Sequence, residues 1–215
     1  MTNPYYSDDY VTLYHGNCLE LTDVWAGADV LVTDPPYGIG YATGTKHAAD
    51  TAHELIAGDD RPFDPTHLLA FERAVIFGGN NFASKLPDSG AWIVWDKTIQ
   101  NDLKVRIAEC ELAWTRGVLR RTRALRHLWS GNFRASEQGT KYHPSQKPER
   151  LMGWVIGLVS EPGDVIADPY AGSGSTGVAA KALGRRAILV ELEERYCEIA
   201  ARRLTQDVLD FGGPA

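Results

Sequence analysis

The chain has 215 residues, 44% of them hydrophobic and 23% charged, which suits one large globular domain with a full core. No apolar run approaches the roughly 20 residues of a membrane span, and MTNPYYSDDY at the start lacks the basic and apolar regions of a signal peptide. No membrane partner and a cytoplasmic location are therefore expected. Three widely spaced cysteines (Cys18, Cys110, Cys197) and six histidines without ligand spacing suggest neither a disulfide framework nor a structural metal. The thiols are expected to be buried.

The net charge of −6 is unevenly spread. Residues 116–147 hold eight Lys/Arg against one acid, Glu137, a local charge of +7 that leaves −13 on the other 183 residues. Such segregation is a nucleic-acid footprint; the alternative is a solvated basic helix paired with the acidic remainder.

In chain order, Tyr10 to His15 reads as a strand ending at a Gly16-Asn17 turn, and Leu19 to Trp25 as a short helix. Ala28 to Thr33, apolar apart from Asp29 and Thr33, has the pattern of a parallel strand covered on both faces. Gly38 to Pro62 shows little periodicity, and a loop of that length is functional or mobile. A helix is expected over Asp64 to Arg73, a strand over Ala74 to Gly79 and a helix over Asn80 to Leu86. Ala91 to Trp95 and Ala108 to Thr115 read as strands whose Trp92, Trp95 and Trp114 belong to the core. After the basic segment come a helix over Pro148 to Ser160, a strand over Asp164 to Ala167 and a helix over Ser173 to Leu183 closed by Gly184. A seventh strand over Arg186 to Glu191 and an amphipathic helix over Glu193 to Leu209 complete the pattern; only FGGPA looks disordered. Alternating strands and helices with short Gly/Pro turns indicate an α/β fold, a doubly wound, mostly parallel seven-stranded sheet.

Two stretches carry the chemistry. Thr33-Asp34-Pro35-Pro36-Tyr37-Gly38 ends an apolar strand on a carboxylate, two locked prolyl carbonyls and an aromatic ring. That combination suits gripping a planar group with an amino function. Asp168-Pro169-Tyr170-Ala171-Gly172-Ser173-Gly174-Ser175-Thr176-Gly177 is a strand end, a Gly-rich turn and a helix start, where unpaired N–H groups meet a ligand. It formally satisfies G-x-G-x-x-G, and Glu191 lies about 20 residues on, where an acid holds ribose hydroxyls. Asp168 at the mouth repels a pyrophosphate and favours a ligand with an amine or sulfonium. The balance moves from a dinucleotide to S-adenosylmethionine.

D-P-P-Y, D-P-Y-A-G-S-G-S-T and the linking H-P-S-Q-K-P-E-R (His143 to Arg150) together resemble the amino-group DNA methyltransferases, which methylate adenine N6 or cytosine N4. The order, catalytic motif first and cofactor motif last, is that of the β group, and the resemblance covers nearly the whole chain. It implies a permuted Rossmann-like methyltransferase fold, one domain over residues 1–215, with a basic target-recognition segment at 116–142. It makes Asp34, Pro35, Pro36 and Tyr37 the catalytic loop, Asp34 and a prolyl carbonyl accepting the amine hydrogens and Tyr37 stacking on a flipped base. For the cofactor it implies Asp168, Tyr170 (usually Phe), Ala171, Gly172, Ser173, Gly174, Thr176 and Glu191, with Ser175 at the helix start. Ser145 and Lys147 resemble the residues near the methionine carboxylate, and Asn17 stands where the family usually has Asp.

Adenine N6 is the expected target, because Asp rather than Ser opens the catalytic motif; cytosine N4 is the alternative, and a non-catalytic DNA-binding relative a further one. Double-stranded DNA is the expected partner, through Arg116, Arg120, Arg121, Arg123, Arg126, Trp129 and Arg134, with His127 and Phe133 interleaved. A homodimer and a cognate restriction endonuclease are both left open.

Overall fold

The computed structural model describes residues 2–40, 57–98, 108–130, 133–137, 142–143 and 145–206. Most of the long 38–62 loop, Lys141, the end of the expected last helix and the FGGPA tail lie outside them. The strands are β1 (Tyr6–Ser7), β2 (Val11–His15), β3 (Val30–Thr33), β4 (Ala74–Phe77), β5 (Trp92–Asp96), β6 (Cys110–Arg116), β7 (Arg123–Arg126), β8 (Trp129–Ser130), β9 (Phe133–Arg134), β10 (Val165–Asp168) and β11 (Arg186–Glu191). The helices are α1 (Thr22–Trp25), α2 (Glu149–Val159), α3 (Ser175–Ala182) and α4 (Glu194–Thr205).

Nine strands form one sheet in the order β1-β2-β11-β10-β3-β4-β6-β5-β7, while β8 and β9 pair separately. The seven strands expected from the sequence are all present, and the sheet gains β1 and β7 at its two edges. Two to four residues are too few to display a period, so sequence reasoning passed over both. From β2 to β4 every neighbour is parallel; β6 runs antiparallel between β4 and β5, and β7 is parallel to β5.

Parallel strands covered on both faces explain the apolar runs. Every residue of β3 and β4 is buried. Val30, Val32, Val75 and Phe77 point to one side, with Leu151, Val155 and Ile156 of α2, Ala179 and Ala180 of α3 and Ala200 and Leu204 of α4. Leu31, Ala74 and Ile76 point to the other, with Trp25, Leu68, Phe71, Phe82 and Trp114. Trp95 and Trp114 are core residues as expected, and Trp92 is half-buried.

Two expected helices take a tighter form. Over Asp64 to Arg73 there is a 3₁₀ turn, Thr66–Leu68, with i to i+3 bonds from Leu68 N–H to the Pro65 carbonyl and from Phe71 N–H to the Leu68 carbonyl. Leu68 and Phe71, three apart, bury together, a spacing that the 3₁₀ and α forms share, and the i to i+3 bonds make it 3₁₀ here. Gly79–Lys85 is likewise 3₁₀, kinked at Phe82.

The switch point of the winding lies between β3 and β10. From β3 the chain continues to β4 on one side, and from β10 to β11 on the other. Ligands of doubly wound sheets bind at the carboxyl ends of the strands at such a point, and both chemistry-bearing loops leave the sheet there.

Candidate active site

Asp34 follows the last residue of β3, and Asp168 is the last residue of β10. The two loops are tied by Thr33, whose buried hydroxyl donates to Asp168 Oδ1 at 2.7 Å. A cleft of about 1390 Å³ opens above them, lined by both loops and by residues of β6, β8 and the His143–Lys147 segment.

In the Asp34–Tyr37 loop, Tyr37 Oη donates to Asp34 Oδ1 at 2.7 Å and Lys147 Nζ to Oδ2 at 2.5 Å. Pro35 and Pro36 line the cleft beside them. The Tyr37 ring lies against Gly78, which follows β4 with φ +69°; a Cβ there would sit 2.0 Å from the ring. Only glycine leaves that space. Burial raises the Asp34 carboxyl above the usual carboxylate range, against the pull of Lys147, and the Glu111 charge adds to the rise. Burial and the Asp34 and Glu111 charges keep the Tyr37 phenol protonated.

Lys147 is where geometry departs most from the sequence reading. Its ammonium is buried against the Asp34 carboxylate, 3.2 Å from Glu111 and 3.3 Å from the Tyr37 hydroxyl. Burial lowers its pKa, but Asp34 and Glu111 outweigh that and raise it, so it stays charged. Ser145 lines the cleft with its hydroxyl on His143 Nδ1 at 3.1 Å.

The glycine-rich loop is braced from below. Asp168 accepts from the Thr176 hydroxyl at 2.5 Å and from the Tyr170 N–H at 3.1 Å besides Thr33. Burial pushes its carboxyl up to about 6, against those hydrogen bonds. Glu191 ends β11 and accepts from the Gly172 and Glu193 N–H groups at 2.7 and 2.8 Å; burial raises it too. Gly172 and Gly174 turn left-handed at φ +52° and +80°, and a Cβ on Gly174 would lie 2.9 Å from the Ala200 Cβ. Ala171 N–H donates to the Val190 carbonyl. Tyr170 reaches His67 Nε2 at 2.8 Å. Asn17 caps its own turn, its Oδ1 accepting from Leu19 N–H at 3.0 Å, while still facing the cleft.

The basic residues divide by position. Arg116 pairs with Ala74, the first residue of β4, at the edge of the sheet opposite the cleft, and donates to the Leu69 carbonyl and Glu72. Arg120 and Arg121 are exposed in the turn before β7, and Arg123 opens β7 opposite Ile93. Of the six described arginines of the segment, Arg126, at the carboxyl end of β7 and bonded to Asp96 at 2.7 Å, lies on the cleft side and Arg134 lines the cleft. Arg134 stacks over the Trp129 ring at 5.0 Å. Trp129 is 8% exposed and packs into the core while forming part of the cleft wall. The side chain of Phe133 lies outside what is described.

Sequence reasoning did not single out Glu111, Lys97, His67 or Arg203. A visible signal existed for two: Glu111 interrupts an apolar strand and Lys97 directly follows another. Cys110, expected to be buried, is exposed at the start of β6 and faces the cleft. No group of three or more His, Cys, Asp or Glu among the described residues is placed to hold a metal, and none of their helices is long and apolar enough to cross a membrane.

A doubly wound sheet with an acceptor loop and a glycine-rich loop leaving adjacent strands is the Rossmann-like methyltransferase fold. The family described as DNA methylase (N6_N4_Mtase) matches residues 79–202, more than half of the chain, and the chain belongs to it. The chain is 49% identical over 70 residues to the Type II methyltransferase M.HinfI of Haemophilus influenzae, which covers 33% of this chain and 20% of that protein. It is 43% identical over 81 residues to the Type II methyltransferase M2.DpnII of Streptococcus pneumoniae, covering 37% and 30%. These matches thus span less than a third of either relative. Among solved structures, the cytosine-N4-specific PvuII DNA methyltransferase aligns with a TM-score of 0.65 at 17% identity, over 96% of this chain and 90% of that one. The M1.HpyAVI–SAM complex aligns with a TM-score of 0.56 at 19% identity, over 91% and 100%.

Proposed function

We propose that this protein transfers a methyl group from S-adenosylmethionine to the exocyclic amine of a flipped base in double-stranded DNA, with adenine N6 as the target. The observation that carries the reading is the Thr33–Asp168 hydrogen bond, which holds the acceptor loop and the glycine-rich loop side by side at the switch point. Asp34 as the first residue of the catalytic motif supports adenine.

The residues suit the cofactor. Asp168 and Glu191 are buried acids raised by burial, and a ligand bringing an ammonium group and ribose hydroxyls supplies donors to both. Gly172 and Gly174 keep the backbone open between them. When bound, S-adenosylmethionine would supply an electrophilic sulfonium methyl with a neutral thioether as leaving group, and the amine, cationic once methylated, would give its proton to solvent. The chain's own work is positioning and electrostatics. Asp34 and a prolyl carbonyl accept the amine hydrogens and localise the nitrogen lone pair, and the Tyr37 ring packs the base, offsetting the few kcal/mol of extrusion.

Incubation of duplex DNA with protein and S-adenosylmethionine, followed by nucleoside mass spectrometry, is expected to yield N6-methyladenine. N4-methylcytosine alone would transfer the assignment to cytosine, and no methylation would favour a non-catalytic DNA-binding protein.

Cofactor affinity carries a pH signature. Asp168 pairs with the ligand ammonium only when ionised, so affinity is full above about pH 7 and falls as pH drops through about 6, by about tenfold per unit beneath it. The ligand-free fold has the opposite sign. There the raised acid holds its proton more tightly than its unfolded value of 3.8 allows, so its contribution favours folding as pH falls from about 6 toward 4. Calorimetric titration between pH 5 and 8 checks this, and a flat profile that Asp168→Asn leaves unchanged contradicts it.

For DNA, the recognition surface narrows to the cleft side. Arg126→Ala and Arg134→Ala are expected to weaken binding and to lower the log–log salt slope by about 1 for each phosphate no longer neutralised. Arg120→Ala and Arg121→Ala, at the opposite edge, are expected to leave the slope unchanged. The reverse ranking in salt-dependent binding assays overturns this division.

A further inference from the structure

Four charged side chains meet at the catalytic loop, and three of them, Lys147, Glu111 and Lys97, have no part in the mechanism above. Asp34 has both oxygens engaged, Oδ1 by the Tyr37 hydroxyl and Oδ2 by the Lys147 ammonium. An incoming neutral amine must therefore share or take an acceptor that already holds a cation, and a charge-assisted bond is roughly twice as strong as a neutral one. A second anionic seat stands beside the first. Glu111, projecting from β6, has Oε2 at 3.2 Å from the same Lys147 Nζ and Oε1 at 2.9 Å from Lys97 Nζ. Two carboxylates and two ammoniums balance, so moving Lys147 between Asp34 and Glu111 carries no net charge into or out of a buried site.

We propose that Glu111 is a positioning residue of the methyl transfer, the seat onto which Lys147 withdraws when the substrate amine takes Asp34 Oδ2, with Lys97 holding that seat in place. The proposal rests on the amino-methyltransferase reading above. Its supports are geometric: one ammonium lies within 3.2 Å of two carboxylates, one in the loop after β3 and one on β6, and the second carboxylate has a cation of its own. The charge state agrees. Burial alone raises Glu111, but Lys147 and Lys97 outweigh it and hold the acid at about 2, so the seat stays ionised at every working pH.

The test is Glu111→Gln, which keeps the shape and removes the charge, measured by single-turnover methylation of DNA in two backgrounds. With Lys147 present, Lys147 is left on Asp34 alone, and the rate is expected to fall about 10²-fold, the scale of a misplaced reacting group, with S-adenosylmethionine affinity unchanged within about twofold. In a Lys147→Gln background the same change is expected to cost less than about twofold, because Glu111 acts through Lys147. Equal losses in both backgrounds, or no loss in the first, overturn the proposal.

A second readout covers the case in which Lys147→Gln is itself inactive. The groups facing Asp34 are Lys147, Tyr37, Glu111 and, across the loops, Asp168. Removing the Glu111 charge strips Asp34 of a like neighbour, so the acid limb of the Glu111→Gln pH–rate profile is expected to move to lower pH while the plateau falls. A lowered plateau with an unmoved limb marks a merely structural role and rejects the proposal. Wild-type protein in the same assay separates the two failures. Wild type that does not methylate removes the proposed function and this inference with it, whereas wild type and Glu111→Gln methylating alike remove only the inference.

Discussion

Asp34→Ala is expected to lower methyl transfer by at least about 10³-fold while leaving S-adenosylmethionine affinity close to wild type. Removing one preorganised hydrogen-bonding group from a reaction centre costs about 10² to 10³, and Asp34 also orders Tyr37 through the 2.7 Å bond from its hydroxyl. Under the proposed function, loss of the carboxylate thus removes the amine acceptor and frees the ring that packs the base. The fold should tolerate the change, because Lys147 keeps Glu111 as a counter-ion at 3.2 Å and is not left as an isolated buried charge. Asp34→Asn is the sharper control. It keeps the volume and one acceptor oxygen but places an NH₂ group among Lys147, Tyr37 and the substrate amine, all donors. Single-turnover assays beside calorimetric titration of the cofactor separate chemistry from binding. Either variant retaining more than about a tenth of wild-type activity contradicts the assigned role.

The largest structural effect is expected at Arg203. This residue of α4 is 7% exposed. Its Nη1 donates to the Ser173 carbonyl at 2.6 Å and to the Ser173 and Ser175 hydroxyls at 2.9 and 3.3 Å, and its Nη2 to Glu149 at 2.6 Å. One guanidinium therefore joins the glycine-rich loop, the start of α2 and the last helix. Arg203→Met keeps much of the stem but leaves three buried acceptors on Ser173 and Ser175 without their donor, while Glu149, 39% exposed, stays hydrated; unmet buried groups of this kind cost about 1–3 kcal/mol. At roughly 2–4 °C per kcal/mol for a domain of this size, the melting temperature should fall by on the order of 5 °C. Because the bonds end on Ser173 and Ser175, cofactor affinity should fall as well, and saturating S-adenosylmethionine should recover part of the lost stability by mass action. A fall of less than about 2 °C, or unchanged affinity, would show that the loop is held by its own backbone and the Thr176–Asp168 bond.

Both predictions draw on residues whose sequence signals differ in kind. Asp34 stands in a local motif: an apolar strand, a carboxylate and two prolines in a row state their geometry without help from the rest of the chain. Arg203 reads in the sequence as one more cation in the last turn of an amphipathic helix. Its burial follows from where α3 and α4 pack. Lys147 shows the same limit. Its neighbours in sequence associate it with the cofactor motif that follows, yet the His143–Lys147 segment turns the ammonium onto Asp34, 113 residues away.

The basic segment was legible as a charge pattern and not as a surface. Eight cations between 116 and 147 are plain in composition, but antiparallel insertion of β6 sends Arg116 to the edge away from the cleft, and β7 then carries the chain back until Arg126 arrives on the cleft side. Charge content is additive along a chain; which edge of a sheet a charge occupies depends on strand direction, which composition does not encode.

By itself, the sequence determined the strand-and-helix alternation, the two loops that carry the chemistry and the family they belong to, because apolar period, proline and glycine act within a few residues of where they stand. Only the tertiary structure decided that β3 and β10 are neighbours, that Thr33 bonds the two loops together, that Lys147 and Glu111 surround Asp34, and that four of the seven proposed DNA-binding residues lie away from the cleft. The physical reason is range. Backbone preference and hydrophobic period are local, whereas ion pairs, buried hydrogen bonds and the edge a side chain faces are set by contacts between segments 74 to 135 residues apart.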